Sequence, residues 1–355
     1  MIRLDSIKVK LPIDSIADIK NFNAMNMIHT TQKIQGVEHS SLTQKGYAGF
    51  GIGATKVNED SVLVNLSAKV LLDNYLEGIN QNTIAQAFEN YNKVSNVMLN
   101  IDKALEGQFL TCDSFQMIRP NYSISDCINS LTLLRTNNNF DVQLYEQQHN
   151  EGAVLTHQIK TEKRRLILYN KHKELMLKGK SKFLANCKAP AKILSSTKGL
   201  LRVEQNNASI RSIRNRFLIT TPTKELPHLD IEFGAITKKP KIMEVLQSSQ
   251  NPNYNFMQKY TSSIKQLDIF NSRYKSIDSC LKDLGRIGLL KECNYDFTIV
   301  RTYLMQNIGV SKRQINRQLK QMKETYKNLQ MKKNLEDKNP YNITNHLLEL
   351  IKEAV

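Results

Sequence analysis

Residues 164–175 read Arg-Arg-Leu-Ile-Leu-Tyr-Asn-Lys-His-Lys-Glu-Leu. The apolar run in the first half predicts a β-strand, and the residues from Lys171 onward predict a helical turn directly after it. Because side chains alternate along a strand, Ile167, Tyr169 and Lys171 fall on one side of it. The stretch therefore predicts a strand that ends in a tyrosine close to a lysine and a glutamate.

Apolar patterns elsewhere in the chain predict the remaining framework. Strands are expected at four further segments, residues 7–11, 61–66, 109–115 and 200–204, and a hairpin is expected around residues 150–152. Helices are expected at two segments, residues 80–105 and 123–134, and over most of the chain beyond residue 240. Since strands and helices do not alternate regularly, the sequence predicts an α+β fold with a mostly antiparallel sheet, followed by a mainly helical C-terminal region.

The change of pattern along the chain predicts two domains. We expect an α+β domain over residues 1–235 and a helical domain over residues 236–355. Within the second, residues 309–319 have the features of the turn and second helix of a helix-turn-helix motif near 300–330. Its polar face carries three candidate DNA-binding residues, Lys312, Arg313 and Arg317. An ordinary amphipathic helix with a solvated basic face explains this pattern equally well.

Positive charge is concentrated in one region of the chain. The net charge is +17, and residues 160–216 hold 16 Lys and Arg but only three acidic residues, whereas residues 1–150 have a net charge of −3. This regional excess predicts a face that docks a polyanion. Five arginines are candidate DNA-binding residues here: Arg164, Arg165, Arg202, Arg211 and Arg214. A reader of single-stranded RNA is disfavoured, because aromatic residues make up only 7% of the chain and Trp is absent.

The cysteines and the apolar runs bear on the compartment. The five cysteines are scattered without a Cys-x-x-Cys pair, which argues against a disulfide framework and against a zinc site. Residues 1–5 do not resemble a signal peptide, and no apolar run reaches the length of a membrane span. We therefore expect a cytoplasmic protein without membrane contact. The sequence does not indicate an oligomeric state.

A tyrosine in a phosphate-attracting region suggests covalent chemistry on nucleic acid. Its hydroxyl can attack a phosphodiester, keep the 5′ phosphate as a phosphotyrosine and release a 3′ hydroxyl. A divalent metal held by carboxylates can neutralise the charge at phosphorus. The candidates are Tyr169 and Lys171 as catalytic residues, Tyr145 as a reserve nucleophile, and Asp113, Glu204 and Glu174 as ligands of Mg²⁺ or Mn²⁺.

Simpler roles for the same residues stay open. A tyrosine in a strand usually belongs to the core or its rim, with its hydroxyl bonded to a neighbour. Glu204 can equally pair with Arg202 or Arg214. The chain has no His-hydrophobe-His triplet, so the metal site of the histidine-based nicking enzymes is missing from this sequence.

The block Leu-Tyr-Asn-Lys-His-Lys-Glu-Leu at residues 168–175 resembles a block of the filamentous-phage gene II-type replication initiator family and its plasmid relatives. In that family an aromatic-x-Lys-x-x-Glu-Leu block carries the nicking tyrosine. Four other segments resemble the family's blocks in the same order: residues 67–71, 109–115, 200–204 and 309–315. Two positions depart from the pattern: Thr111-Cys112 replaces an Arg before Asp113, and uncharged residues follow Glu204.

The resemblance implies an initiator of rolling-circle replication for a phage or plasmid. Such a protein nicks one strand at an origin, stays attached through a 5′-phosphotyrosyl bond and later rejoins the strand. The implied partners are double-stranded and single-stranded origin DNA, with a host helicase as a further candidate, in the cytoplasm of a bacterial host. The alternatives are a mobilisation relaxase with the same chemistry and a non-catalytic helix-turn-helix regulator that only binds DNA.

Overall fold

The fold is given by a computed structural model of the chain. It describes residues 1–17, 27–34, 37–134, 136, 139–147, 150–159, 162–219, 239–264, 277–307, 311–336 and 339–354. All structural statements below concern these residues.

The main structural element is a ten-stranded sheet in which every pair of neighbouring strands is antiparallel. The strands are β1 (Leu4–Pro12), β2 (Ile28–Ile34), β3 (Val37–Gln44), β4 (Thr55–Asn58), β5 (Ser61–Ser67), β6 (Gln108–Ile118), β7 (Phe140–Gln147), β8 (Asn150–Ile159), β9 (Glu162–Asn170) and β10 (Leu201–Asn207). Their order across the sheet is β2-β3-β4-β5-β1-β6-β10-β9-β8-β7. The predicted α+β class with a large antiparallel sheet is confirmed.

Strand β1 lies at the centre of this order because its alternating pattern buries one side completely. Ile7, Val9 and Leu11 are at most 1% exposed and belong to the main hydrophobic core. β1 pairs with β5 on one side and with β6 on the other, and two register shifts interrupt its pairing with β6. One of these shifts falls between Leu4 and Ser6, so that Asp5 is the extra residue of a β-bulge.

The chain divides into two compact units. The first comprises Met1–Thr132, Thr136–Ser263 and Thr344–Val355, and the second comprises Leu133–Arg135 and Ile264–Ile343. The sequence placed a border at residue 235, which lies outside the described residues. Residues 239–263 and the end of the chain belong with the sheet, because buried contacts such as Tyr260 to Leu131 and Gln116 to Ile351 hold them there.

The first unit surrounds its sheet with short helices. These are α1 (Ile84–Asn92), α2 (Ile101–Leu105), α3 (Ile124–Leu133), α4 (Lys171–Leu175), α5 (Ser181–Leu184), α6 (Pro190–Ser196), α7 (Ile210–Phe217), α8 (Ile242–Leu246) and α9 (Pro252–Ser262). The single helix expected at residues 80–105 is instead α1 and α2. The helix stops because the Asn92 side chain bonds both the amide and the carbonyl of Leu99, which folds the intervening segment into a loop.

The second unit is a cluster of helices α10 (Ile277–Glu292), α11 (Phe297–Asn307) and α12 (Lys312–Glu336), which contact one another. Helix α13 (Pro340–Glu353) follows them, and its residues from Thr344 onward belong to the first unit. Ile315, Leu319 and Met322 of α12 pack into the core of this unit, so the predicted apolar stripe is confirmed at these positions. Gly309 and Val310 of the predicted turn lie outside the described residues. No helix within the described ranges is long and apolar enough to cross a membrane.

Candidate active site

Strands β6, β10 and β9 bring four of the predicted site residues onto one side of the sheet, here called the front face. In the pairing register Arg202 lies opposite Tyr169, and Asn206 lies opposite Asp113. Since side chains alternate along β10, Glu204 shares the face of Arg202 and Asn206. The front face therefore collects a tyrosine, an arginine and two carboxylates from three adjacent strands.

Tyr169 is bonded directly to one of the predicted acids. Its hydroxyl donates to Oε2 of Glu204 at 3.0 Å, and the same carboxylate oxygen accepts from Nε of Arg202 at 3.1 Å. Burial raises the pKa of Tyr169 well above its usual range, and burial also raises the pKa of Glu204. The hydroxyl is therefore protonated at neutral pH and has a proton acceptor already in hydrogen-bond contact.

Arg202 is the central cation of the front face and is fully buried. Its Nη2 lies 2.6 Å from Oδ1 of Asp5, and its Nη1 donates to the Tyr75 hydroxyl at 3.3 Å. The guanidinium also lies 4.0 Å from the centre of the Phe115 ring. Although burial opposes ionisation of Asp5, the charges of Arg202 and Lys171 hold the pKa of this carboxyl below its usual value. The bulge in β1 is what brings Asp5 to the guanidinium.

Lys171 forms a second buried cationic centre at the start of α4. The Asn170 side chain caps this helix, and the Lys171 side chain, 1% exposed, donates to the Tyr75 hydroxyl and to Oε2 of Glu174 at 2.8 Å. Burial lowers the pKa of Lys171 to about 8, with the positive charge of Arg202 as the next cause. Lys171 can therefore lose its charge in mildly alkaline solution.

Glu174 is held by two lysines. Its Oε2 accepts from Lys171, and its Oε1 lies 2.5 Å from Nζ of Lys180. Burial opposes ionisation, but these two positive charges hold the pKa of Glu174 below its usual value. Both oxygens of this carboxylate are thus engaged in ion pairs.

Asp113 is also engaged, through neutral partners. One of its oxygens accepts from the Ser6 hydroxyl and the other from the Asn206 amide. Burial raises the pKa of Asp113, and the nearby charge of Asp5 acts in the same direction. The Asp113 carboxyl is therefore held in place by neutral groups, and no cation within the described ranges contacts it directly.

The three predicted metal ligands do not come together as one site. Within the described part of the chain, no group of three or more His, Cys, Asp or Glu side chains is placed to hold a metal ion. Glu174 pairs with lysines, whereas Asp113 and Glu204 lie on the front face near Asp5. The arrangement does not fit the predicted three-carboxylate site, and binding of Mg²⁺ or Mn²⁺ stays a prediction.

The predicted DNA-binding arginines are dispersed over different surfaces. Arg165 is exposed on the front face, two residues from Ile167, whereas Arg164 points to the opposite face and lines a cavity there. Arg202 is buried, so it holds the site together instead of reaching a ligand at the surface. Arg211 is exposed and Arg214 is half-buried, both on α7. In the second unit, the three predicted DNA-binding cations of α12 are all exposed: Lys312, Arg313 and Arg317.

Two residues of the site were not predicted from the sequence. Tyr75 lies in the 3-10 segment Ala68–Glu77 and is 2% exposed, with its hydroxyl between Lys171 and Arg202. Asp5 reaches Arg202 because it is the extra residue of the bulge in β1. A simple alternation of apolar residues cannot reveal such a bulge. The only available signal for Tyr75 was its position four residues after the 67–71 segment.

No model of a known protein family matches the chain, and no curated protein matches it. The function therefore has to be argued from the geometry of the front face.

Replacing Arg202 with Met should lower the free energy of unfolding by about 3 kcal/mol, because Asp5 and Glu204 would be left without their shared buried cation. Urea unfolding followed by far-ultraviolet circular dichroism measures this change. The matched control is Arg165→Met on the neighbouring strand, which removes an exposed cation and should shift the free energy by less than about 0.5 kcal/mol. Equal effects of the two substitutions would contradict a central role for Arg202.

Proposed function

We propose that the chain is a DNA strand transferase that nicks one strand at a replication origin through Tyr169 and later rejoins it. The observation that carries this proposal is the hydrogen bond from the Tyr169 hydroxyl to Glu204, beside two buried cations. Catalysis by a hydroxyl requires that the nucleophile contact a base and that a third group orient this base. Here Arg202 is the orienting group, because its Nε bonds the same Glu204 oxygen.

The first step forms one phosphate ester and breaks another. The Tyr169 oxygen attacks the phosphorus of the scissile phosphodiester while Glu204 takes the phenolic proton. The bond from phosphorus to the 3′ oxygen breaks, the 3′ oxygen leaves as a hydroxyl after gaining a proton, and the 5′ phosphate stays on Tyr169. Rejoining is the reverse: a 3′ hydroxyl attacks the phosphotyrosine, and the Tyr169 oxygen recovers its proton.

Two buried cations favour the charge that develops on the tyrosine oxygen. Nζ of Lys171 lies 5.7 Å from the centre of the Tyr169 ring, and the Arg202 guanidinium lies 6.0 Å from it. In a low-dielectric surrounding, fixed positive charges act more strongly than in water. Lys171 and Arg202 therefore lower the free energy that is needed to remove the phenolic proton. The charge of Glu204 and burial act in the opposite direction.

The surface beside Tyr169 offers space for a nucleic-acid strand. On the front face of β8 and β9, Val154 and Ile167 are only half-buried, and Arg165 and Lys163 are exposed. An open sheet surface with cations at its edge is suited to a phosphate backbone. We place the scissile strand on this surface, with its phosphate at the Tyr169 hydroxyl.

A divalent metal enters this proposal only as a predicted addition. Asp113 and Glu204 are the predicted ligands that remain on the front face, and a hard cation held there would supply charge neutralisation. Since Glu174 is paired with lysines, it is not assigned a role in binding a metal.

A second candidate function is DNA binding without catalysis, and the exposed cations of α12 favour it. Helices α11 and α12 follow each other with a short connection, as in a helix-turn-helix motif. A mobilisation relaxase would share the chemistry of Tyr169 and differ only in the DNA on which it acts. The behaviour of a Tyr169 variant separates the regulator from both enzymes.

Purified protein should convert supercoiled DNA that carries the region around its own gene into open circles with protein on the 5′ end. Tyr169→Phe should abolish the covalent product and keep DNA affinity, and Glu204→Gln should lower the rate about 100-fold or more, because a general base is lost. Gel electrophoresis after protease treatment and a filter-binding assay measure the two properties. A wild-type protein that binds this DNA without nicking it would support the regulator instead.

The two neighbouring arginines of β9 should differ in their contribution to DNA affinity. Arg165→Gln should reduce the slope of log affinity against log salt by about 0.7 on single-stranded DNA, since one phosphate contact is lost. Arg164→Gln is the matched control, because Arg164 lies on the opposite face, and its slope should equal that of the wild type. A smaller slope for the Arg164 variant would place the DNA on the other side of the sheet.

The rate of nicking should fall as pH rises through about 8, because the buried Lys171 loses its proton there. Lys171→Arg keeps a positive charge at alkaline pH, so the fall should move to higher pH. Covalent adduct formation over a neutral to alkaline pH series measures this shift, and circular dichroism checks that the variant folds. An alkaline fall that stays near pH 8 in the folded variant would assign the titration to another group.

A further inference from the structure

The side of the sheet opposite the front face, here called the back face, carries a cavity of about 230 Å³. Its sheet side is formed by His157 of β8, Arg164 of β9 and Gln205 of β10. Helices α7 and α9 pack against β10 and supply most of the other lining residues. All lining residues belong to the first compact unit. The cavity is therefore built within one unit, on the other side of the sheet from the Tyr169 hydroxyl.

The lining of this cavity is positively charged. It includes three permanent cations, Arg164, Arg216 and Lys259, and none of the described residues that line it is an aspartate or a glutamate. Arg216 is 9% exposed, and its Nη1 donates to the carbonyl of Asn206 at 2.6 Å and to Oδ1 of Asn207 at 2.7 Å. These neutral acceptors hold the guanidinium in position and do not cancel its charge. The cavity therefore favours an anionic ligand.

Gln205 adds a requirement for a hydrogen-bond donor. Its side chain is 2% exposed and lies at the cavity, and none of the described residues donates to its Oε1. Because buried polar groups in folded proteins are nearly always hydrogen-bonded, such an acceptor indicates a partner that the chain itself does not supply. An amine or a hydroxyl of a ligand can donate to this oxygen. The ligand therefore carries a donor group besides its negative charge.

The remaining lining groups are suited to a heterocyclic ring. Phe256 and His157 supply aromatic surface, and the His157 ring is held by Phe140, on which it stacks with centroids 4.0 Å apart and an interplanar angle of 2°. Four more amide side chains line the cavity: Asn215, Gln250, Asn255 and Gln258. An amide presents a donor and an acceptor side by side, which matches the edge of a base such as adenine.

We propose that the back-face cavity binds a free nucleoside monophosphate. The cations supply charge for the phosphate, the amides and rings contact the base, and a hydroxyl or amine of the ligand donates to Gln205. The volume lies below the roughly 300–1,000 Å³ of sites for drug-sized ligands, so the ligand is small. This site is separate from the proposed strand transfer and does not depend on it.

The first test is equilibrium dialysis of the full chain at low salt against four labelled probes, AMP, GMP, CMP and UMP. Inorganic phosphate and adenosine are the reference probes, because each keeps only part of the recognised chemistry. At least one nucleotide should bind at least about tenfold more tightly than either reference. If no nucleotide binds, or if inorganic phosphate binds as tightly as the best nucleotide, the proposal is overturned.

Substitutions then place the ligand on the back face. Arg164→Gln should weaken nucleotide binding at least about tenfold, because a charge-assisted hydrogen bond is lost. Arg165→Gln is the matched control, since Arg165 is exposed on the front face of the same strand, and its affinity should stay within about twofold of the wild type. Equal losses in these two variants would contradict the assignment of the cavity.

Lys259→Gln keeps the test decisive if the Arg164 variant fails to fold. Lys259 is exposed at the rim of the cavity, so its replacement leaves the core intact and should weaken binding about two- to fivefold. Circular dichroism checks the fold of each variant. An affinity that changes in neither the Arg164 nor the Lys259 variant would place the nucleotide elsewhere on the molecule.

The terminal nucleotide of a DNA strand has the same chemistry as a free nucleotide, so a 5′-phosphorylated tetranucleotide is the last probe. The free nucleotide should bind at least as tightly, because a small cavity offers no contacts to the rest of a strand. A tetranucleotide that binds at least about tenfold more tightly, and loses this affinity in Arg164→Gln, would assign the cavity to a strand end and overturn the proposal. Neither result bears on nicking by Tyr169.

Discussion

The buried guanidinium of Arg202 is the charge on which the front face depends. A cation without exposed surface requires anions and hydrogen-bond acceptors around it. Asp5, Glu204 and the Tyr75 hydroxyl meet this requirement from β1, β10 and the 3-10 segment between β5 and α1. Because Glu204 is held by Arg202, the hydrogen bond from Tyr169 has a fixed direction. The position of the Tyr169 hydroxyl is thus a consequence of the balance of charge around Arg202.

The same surroundings keep the Tyr169 hydroxyl protonated. Burial and the charge of Glu204 favour the protonated phenol, whereas Arg202 favours the phenolate. Because burial and Glu204 outweigh Arg202, the pKa of Tyr169 stays high and the hydroxyl remains a donor to Glu204. In the proposed reaction, the phenolic proton would pass to Glu204 over this preformed hydrogen bond, so geometry would contribute more than acidity.

Local sequence patterns predicted the strands but did not predict the network of buried charges around Arg202 and Lys171. Alternation predicted β1, β9 and β10 and placed Tyr169 and Glu204 on two of these strands, because strand periodicity is a local property. That β9 and β10 are neighbours is known only from the pairing in the structure. Arg202 was expected to bind DNA, yet it is buried, since its compensating acid Asp5 comes from a distant strand and only through a bulge. Glu174 was expected to bind a metal, but the fold of the segment after α4 brings Lys180 to its second oxygen. Burial and distant pairing decide such roles, and neither can be seen in a short window of sequence.

The bulge at Asp5 also has a consequence for folding. The ion pair between Asp5 and Arg202 joins residues nearly 200 positions apart in the chain, and it requires that β1 and β10 both be paired with β6 between them. Contacts of such long range carry a larger loop-closure entropy than local contacts do. Asp5 can therefore balance the charge of Arg202 only after β1, β6 and β10 have all paired. In the proposed strand transferase, a chain whose sheet is incomplete would hold the Arg202 guanidinium without the Asp5 carboxylate that balances its charge.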